Sequence, residues 1–167
     1  MSSQAERRGN APEETRDRTI STNRRARHEY EILETIEAGL VLRGTEVKSL
    51  RDGQVTFKDS YATVRNDEAW LLGCHISPYS HGTDANHDPE RDRKLLLRRR
   101  EISRLTGRIA ERGLTLVPLR LYFKSGRAKV ELGLGRGKKL HDKRSAIRER
   151  DVKREMDKAA ARERSRW

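Results

Sequence analysis

The sequence predicts a mainly β protein, a small antiparallel barrel followed by a basic tail. Five or more short segments alternate apolar and polar residues, which is the pattern of antiparallel strands with one buried face. Only 33% of the 167 residues are hydrophobic and 38% are charged, so the core must be small. Residues 143–167 contain no glycine or proline and few apolar side chains, so they belong to no core.

The N-terminal part predicts a leader followed by a long strand. Residues 1–22 are polar, with Ile20 as their one large apolar side chain, so we expect disorder there. A basic cluster at 23–27 marks the edge of the fold. Residues 29–42 carry apolar side chains throughout and predict a strand that bends at Gly39.

A short helix and several strands come next. Residues 44–53 predict the helix, because Thr45 can cap its start and a glycine can end it. Residues 55–76 turn to β character, with a turn at 65–68 between two strands. Residues 77–89 are rich in Pro, Gly, Asn and Asp and predict a loop.

The second half predicts a longer helix and a hairpin. Residues 90–113 form the helical region, and Gly113 ends it. Its apolar stripe has the 3-and-4 spacing of a helix face and consists of Ile102, Leu105 and Ile109. Residues 114–134 alternate in strand fashion around a turn at 125–126.

The last segment predicts a basic tail. Its sizeable apolar residues make no continuous stripe, and an isolated helix of this size is only marginally stable in water. We therefore expect a tail that is disordered when free and gains helix on a charged surface. The predicted organisation is a disordered leader at 1–22, an OB-like barrel at 23–137 and the tail at 138–167.

The net charge and its distribution indicate the class of partner that the protein binds. The net charge is +12 and the isoelectric point is near 10.3. Residues 136–167 hold 13 basic and six acidic side chains, so the last fifth of the chain carries more than half of the excess. A concentrated positive charge is typical of nucleic-acid binding, with an anionic membrane surface as the lesser alternative. The absence of long apolar runs and the single cysteine predict a cytoplasmic protein with no membrane span.

One stretch concentrates this charge, GLGRGKKLHDKR at 133–144. Five cations stand there against the single acid Asp142. Its three glycines, Gly133, Gly135 and Gly137, permit positive φ or close approach of a partner. This chemistry suits a phosphate backbone. The alternative is a solvated basic loop followed by a solvated helix.

The sequence offers little support for a catalytic site or a metal site. The metal-ligand residue types between 74 and 88 lack zinc-site spacing; they are Cys74, His75, His81, Asp84, His87 and Asp88. No nucleotide-binding, hydrolase or metalloprotease motif occurs, so we predict no enzyme, no metal and no cofactor. A nuclease that uses His141 and Asp142 is the enzymatic alternative.

The aromatic residues leave a choice between core packing and base stacking. Most of them alternate as core residues do, so we expect packing for each, with Tyr30 and Tyr122 ambiguous. The full set is Tyr30, Tyr61, Trp70, Tyr122 and Phe123.

Five segments together resemble one family, in matching order and spacing from about residue 23 to about residue 150. They are NRRARHEY, EAGLVLRGTEVKSLR, DSYA, RKLLL and GRGKKLHDKR. They resemble small protein B, the family of SsrA-binding proteins. The resemblance implies an OB-like antiparallel barrel with about three helices.

The resemblance also implies a function. Such proteins are bacterial, cytoplasmic adaptors that bind the tRNA-like domain of transfer-messenger RNA. They deliver the charged RNA, with elongation factor Tu and GTP, to stalled ribosomes for trans-translation. The tail enters the vacant mRNA channel and becomes helical there. We expect a monomer. The alternative is a general OB-fold RNA-binding or ribosome-associated protein.

The resemblance carries over to particular positions. RNA contacts are implied at Glu37, Lys129 and Gly137, and ribosome contacts at Asp142, Lys143 and Arg144. Physical reasoning adds the basic neighbours Arg24, Arg25, Lys138 and Lys139. Glu37 repels phosphate, so it must accept hydrogen bonds from base amino groups or a ribose hydroxyl, or else orient an arginine.

Overall fold

The structure is a computed structural model, and it describes residues 17–82, 85–138 and 140–165. Strands and helices follow one another as β1 Arg18–Thr22, α1 Arg24–Glu29, β2 Tyr30–Leu40, α2 Gly44–Arg51, β3 Val55–Thr56, β4 Tyr61–Arg65, β5 Glu68–Leu72, β6 His75–Ile76, β7 Arg93–Leu96, α3 Arg99–Arg112, β8 Thr115–Lys124, β9 Arg127–Gly137 and α4 Leu140–Arg164.

The main sheet closes on itself. Its strand order is β1-β8-β4-β5-β7-β2-β9, all neighbours are antiparallel, and β9 also pairs with β8. Six strands therefore form a ring, and β1 extends it by pairing with the end of β8. The strands β3 and β6 form a separate short ladder. The predicted class, a mainly β, OB-like antiparallel barrel with three helices beside it, is confirmed, and α4 adds a fourth helix.

Two apolar clusters lie on opposite faces of the barrel wall. The larger one fills the interior and includes residues with no exposed surface, such as Leu50, Leu71 and Leu132. The smaller one contains Ala26, Val117 and Leu119 under α1. Leu116 belongs to the larger cluster and Val117 to the smaller, because successive side chains of a strand point to opposite faces.

The fold begins earlier than the sequence predicts. We expected disorder up to residue 22, but Arg18–Thr22 is strand β1, in register with residues 120–123 of β8. Ile20 packs against the main core, which supplies the apolar burial that a disordered segment lacks. The remainder of the predicted leader, residues 1–16, lies outside the described residues.

The helix predicted at 90–113 is also shorter than expected. Its first part is strand β7, and α3 begins at Arg99. Arg93 and Leu95 are fully buried whereas Leu96 is 56% exposed, which is the alternation of a strand. The end of the helix at Gly113 is confirmed, because this residue adopts the left-handed conformation at φ 60°.

Two local predictions need correction. The N-cap of α2 is Arg43, whose backbone N–H donates to Glu46 at 2.7 Å, and Thr45 does not cap the helix. The register break in β2 lies between Ile32 and Glu34 rather than at Gly39. Both hairpin turns are confirmed, and their positive φ values fit primed turns.

A buried ion-pair network ties α2 to β7. The carboxylate of Glu46 accepts from Arg93 Nε at 2.9 Å and from Arg91 at 2.7 Å, and both Glu46 and Arg93 have no exposed surface. The guanidinium of Arg93 also donates to the carbonyl oxygens of Cys74 and Pro89. Every charge in this network therefore has several partners, as buried charges require.

The tail forms α4, which extends from the barrel. From Ile147 to Ser165 every described side chain is exposed. Among the described residues, the hydrogen bond that reaches from α4 to the body runs from Arg150 Nη2 to His28 Nδ1 at 2.7 Å. A helix with so little packing is marginal on its own, so disorder of the free tail stays a prediction. In the described part of the chain, no helix is long and apolar enough to cross a membrane.

Candidate RNA-binding surface

The predicted RNA-contact residues collect at the two ends of one strand ladder. In the β2–β9 pairing, Lys129 lies opposite Gly39 at one end and Gly137 lies opposite Tyr30 at the other. Eight residue steps separate Lys129 from Gly137, about 27 Å along an antiparallel strand. The candidate surface therefore has two parts, here called the Glu37 end and the Gly137 end.

At the Glu37 end, the carboxylate of Glu37 is held by neighbours on β8. The hydroxyl of Tyr122 donates a hydrogen bond to it, and Lys124 Nζ lies 3.4 Å away. The hydrogen bond from Tyr122, aided by the charges of Lys124 and Lys129, lowers the pKa of Glu37. Glu37 is thus an ionised acceptor, and among the described residues it is a tyrosine and a lysine, rather than an arginine, that fix its orientation.

Tyr122 is a packed residue at this end and cannot stack on a base. It is 6% exposed, and the guanidinium of Arg120 lies 4.3 Å from its ring centroid. Burial and the nearby Glu37 carboxylate raise the pKa of Tyr122, so its hydroxyl keeps its proton. The packing prediction holds for Tyr122 but is wrong for Tyr61, which is 46% exposed.

An exposed leucine beside the Glu37 end is not among the site residues predicted from the sequence. Leu96 on β7 lies next to Gly39, where an added Cβ would come within 3.1 Å of Leu96 Cβ. Gly39 is in register with both Leu96 and Lys129, so the three form one continuous patch. The signal was present in RKLLL, but it requires reading these residues as a strand rather than as a helix.

At the Gly137 end, the chain leaves β9 beside α1. Lys138 donates its backbone N–H to Glu29 O at 2.8 Å and its Nζ to Arg27 O at 3.3 Å. An added Cβ at Gly137 would meet nothing within 4 Å, so the backbone here is open to a partner. Lys139 lies outside the described residues.

The other two glycines of the basic stretch have internal roles. An added Cβ at Gly135 would lie 2.3 Å from Glu31 O, and one at Gly133 would lie 2.9 Å from Leu119 Cδ1. Neither has positive φ. They let β2 and the cluster under α1 pack closely against β9. The expectation that all three glycines serve a partner is therefore wrong for these two.

A basic groove of about 540 Å³ lies between α1 and α4 at the Gly137 end. Five cationic side chains and one carboxylate line it, and they are Arg24, Arg27, Lys138, Arg150, Lys153 and Glu149. Arg25 does not join them. It pairs with Glu29 at 2.7 Å and lines a different pocket. A groove of this composition suits phosphate groups.

The predicted ribosome-contacting residues lie at the start of α4. Arg144 is exposed there, and the side chains of Asp142 and Lys143 lie outside the described ones. The helix begins at Leu140, so a helical backbone carries all three.

The metal-ligand residue types have structural surroundings. Cys74 is buried, and burial raises the pKa of its thiol to about 11. His87 Nε2 donates to Ile76 O at 2.9 Å, which leaves Nδ1 to accept from the Thr45 hydroxyl at 2.8 Å. Across the described residues, no three His, Cys, Asp or Glu side chains cluster as metal ligands would. Asp84 lies outside them.

The chain is similar, in sequence and in structure, to one group of known proteins. The sequence model of the SmpB protein family matches residues 20–162. The SsrA-binding protein of Oleidesulfovibrio alaskensis is 60% identical over 136 residues, covering 81% of this chain and 88% of the relative. That of Desulforudis audaxviator is 58% identical over 144 residues, covering 86% and 94%. A solved chain described as "tmRNA-SmpB: a journey to the center of the bacterial ribosome" is similar at TM-score 0.63 and 54% identity, covering 77% of this chain and 94% of that one.

Proposed function

The chain belongs to the SmpB protein family, and on that premise we propose that it binds the tRNA-like domain of transfer-messenger RNA and delivers it to stalled ribosomes for trans-translation. It acts as a cytoplasmic, monomeric adaptor without chemistry of its own, and it meets elongation factor Tu through the RNA. The ribosome is its second partner.

The observation that carries this proposal is the basic groove at the Gly137 end. Its cations outnumber its carboxylates five to one. Like charges gathered on two helices repel one another, and a polyanion relieves that repulsion. Arg24 and Lys138 would contact phosphate, while Gly137 lets the backbone of the RNA come close.

The Glu37 end supplies a different kind of contact. Glu37 is ionised and oriented, so it accepts hydrogen bonds from base amino groups or ribose hydroxyls. Lys129 and the exposed Leu96 flank it, and they offer a phosphate partner and an apolar surface for a ribose or base. The Gly137 end thus binds mainly through charge, and the Glu37 end adds hydrogen-bond and apolar contacts to bases and riboses.

The tail provides the ribosomal contact. Its exposed side chains have no core to bind, and ordering about twenty residues costs roughly 1–2 kcal/mol each in backbone entropy. A channel walled by RNA offers the dense phosphate contacts that offset this cost. Asp142, Lys143 and Arg144 begin the segment that would enter the channel.

A gel-shift assay with labelled tRNA-like domain tests the adaptor function. We expect a shifted band, intact RNA with and without divalent metal, and weak competition from bulk tRNA or poly-U. Cleavage of the RNA would instead indicate an enzyme. Equal competition by all RNAs would favour the alternative, a general OB-fold RNA-binding protein.

Peptide tagging on stalled ribosomes tests the division between body and tail. Removal of residues 143–167 takes Arg150 and Lys153 from the groove but leaves Arg24, Arg27 and Lys138 in the body. Affinity for the isolated tRNA-like domain should therefore stay near-normal, whereas tagging should be largely lost. Charge reversal at Lys143 and Arg144 should have the same effect. Full tagging by the truncated protein would show that the tail is a passive solvated segment.

A further inference from the structure

A pocket of about 320 Å³ lies on the barrel wall, borders the Gly137 end at Tyr30 and shares no lining residue with the basic groove. It is formed beside α1, over the starts of β4 and β8. These two strands meet at one residue pair, Ala62 with Leu116, so the wall is open on either side of that pair. The function proposed above leaves this pocket unused.

Two of the five sequence segments that carry the family resemblance meet in this pocket. NRRARHEY contributes Arg25 and Tyr30, and DSYA contributes Asp59 and Tyr61. About thirty residues separate the two segments in the chain, so only the fold brings them together. One cation, two carboxylates (Glu29 and Asp59) and two aromatic rings line this cavity, and groups of these kinds can hydrogen-bond the edge of a nucleobase and stack on its ring.

The backbone that carries the Asp59 carboxylate is fixed by neighbouring contacts. Asp59 adopts the left-handed conformation at φ 57°, which aspartate tolerates better than most residues. The next residue, Ser60, is tied to Phe57 O by its N–H at 3.0 Å and to Gly73 O by its hydroxyl at 3.1 Å. Among the described residues none donates a hydrogen bond to the Asp59 carboxylate, so its oxygens are available to a ligand.

The aromatic and cationic side chains complete the site. Tyr61 is 46% exposed, and Tyr30 is half-buried against the cluster under α1. Arg25 is fixed at the pocket by its 2.7 Å contact with Glu29. A base that leaves its stack can lie on Tyr61 while Arg25 offsets the charge of Asp59.

We propose that this pocket captures one unpaired guanine of an RNA. Guanine carries two adjacent donors on its Watson–Crick edge, N1–H and N2–H, which match the two oxygens of the Asp59 carboxylate. Adenine and cytosine place an acceptor beside their donor, and uracil has a single donor between two acceptors. The inference deepens the RNA-binding function proposed above and rests on it.

Binding of four fluorescent pentanucleotides to the full chain tests the inference. They are UUGUU, UUAUU, UUCUU and UUUUU, at one salt concentration. The guanine oligonucleotide should bind at least fivefold more tightly than the others, because a bidentate pair discriminates by about that factor or more. Backbone amide resonances of residues 59–62 should shift on its addition.

Two variants and a matched control test whether the preference for guanine arises in this pocket. Asp59→Asn keeps the left-handed conformation but replaces an acceptor with a donor, so it should abolish the guanine preference and leave UUAUU binding unchanged. Tyr61→Ala should weaken UUGUU binding about fivefold or more through loss of stacking. Asp67→Asn changes the same residue type at φ 58°, away from the pocket, and should keep the preference.

The outcomes separate the inference from the function on which it rests. Wild-type protein that binds the tRNA-like domain but binds all four pentanucleotides equally would overturn the guanine site alone. Loss of the preference in Asp67→Asn as well as in Asp59→Asn would also overturn it. Failure of the wild-type protein to bind any RNA would remove both the function and the site.

Discussion

Replacing Glu46 with glutamine should destabilise the barrel severely, although Glu46 is not one of the proposed RNA contacts. The change keeps the shape of the side chain but removes its charge. Arg93 has no exposed surface, so its guanidinium would remain buried without a counter-ion. Breaking a buried pair in this way costs about 3–5 kcal/mol. That is a large part of the roughly 5–15 kcal/mol that stabilises a typical domain.

Chemical denaturation at neutral pH measures this loss, and Glu68→Gln is its control. Glu68 pairs with Lys94 at 3.1 Å, but both side chains are over 40% exposed. An exposed pair contributes about 0–1 kcal/mol. The two substitutions remove the same charge, so the difference between their losses of unfolding free energy measures the effect of burying the ion pair.

The pH dependence of stability gives an independent check. Burial alone would raise the pKa of Glu46, but hydrogen bonds from Arg91 and the Arg43 amide and the charge of Arg93 lower it below 4.5 overall. A lowered pKa stabilises the folded state above the unfolded value and loses this effect as pH falls through the folded value. The difference in unfolding free energy between wild type and Glu46→Gln should therefore be widest near pH 7 and should narrow in acid, as the pH falls toward the lowered pKa of Glu46.

Two results would refute this reasoning. One is that Glu46→Gln loses no more unfolding free energy than Glu68→Gln. The other is that the difference in unfolding free energy between wild type and Glu46→Gln widens at acidic pH. Where Glu46→Gln still folds, its affinity for the tRNA-like domain should match that of the wild type. The EVKSLR segment would then mark the family through its structure rather than through RNA contact.

Three further predictions test the tail, the groove and the glycines. Truncation after Gly137 should lower the Tm by only a few degrees, and loss of the cooperative transition would show that the tail packs on the core. About five phosphate contacts give a slope near −4 for log K against log salt. Lys138→Ala should reduce the magnitude of this slope by about one unit, whereas Arg162→Ala, which lies outside the groove, should leave it unchanged. Equal effects of the two substitutions would mean that the RNA is attracted by the overall positive charge rather than by the groove. Gly135→Ala should cost about 1–3 kcal/mol in denaturation, because its Cβ would overlap Glu31 O. Equal stability of Gly135→Ala and Gly137→Ala would contradict the close packing of β9.

Local patterns were enough to predict most of the fold. The hairpin strands β8 and β9 form on either side of the predicted turn, and Gly113 ends its helix in the expected conformation. The β7 strand was misread because its buried residue is Arg93, whose charge predicts the surface. Its counter-ion Glu46 is 47 residues away in sequence, and only the fold shows that the two are paired.

The sequence predicts the residues of the candidate site but not their arrangement. Glu37 and Lys129 are 92 residues apart, and the strand register alone brings them to one face. The sequence also could not separate Arg24 from Arg25. Successive residues of a helix point about 100° apart, so one faces the groove and the other faces the pocket beside Tyr61.

The β9 strand has a consequence for selectivity that does not depend on any single side chain. Because it is paired on both sides along most of its length, the Glu37 end and the Gly137 end stay at one separation. Through the RNA contacts proposed above, a large folded RNA with groups at the same separation would bind bivalently, since its first contact would raise the effective concentration of the second. A short or flexible RNA gains only one contact at a time. The length of a strand therefore selects for the size and rigidity of the RNA.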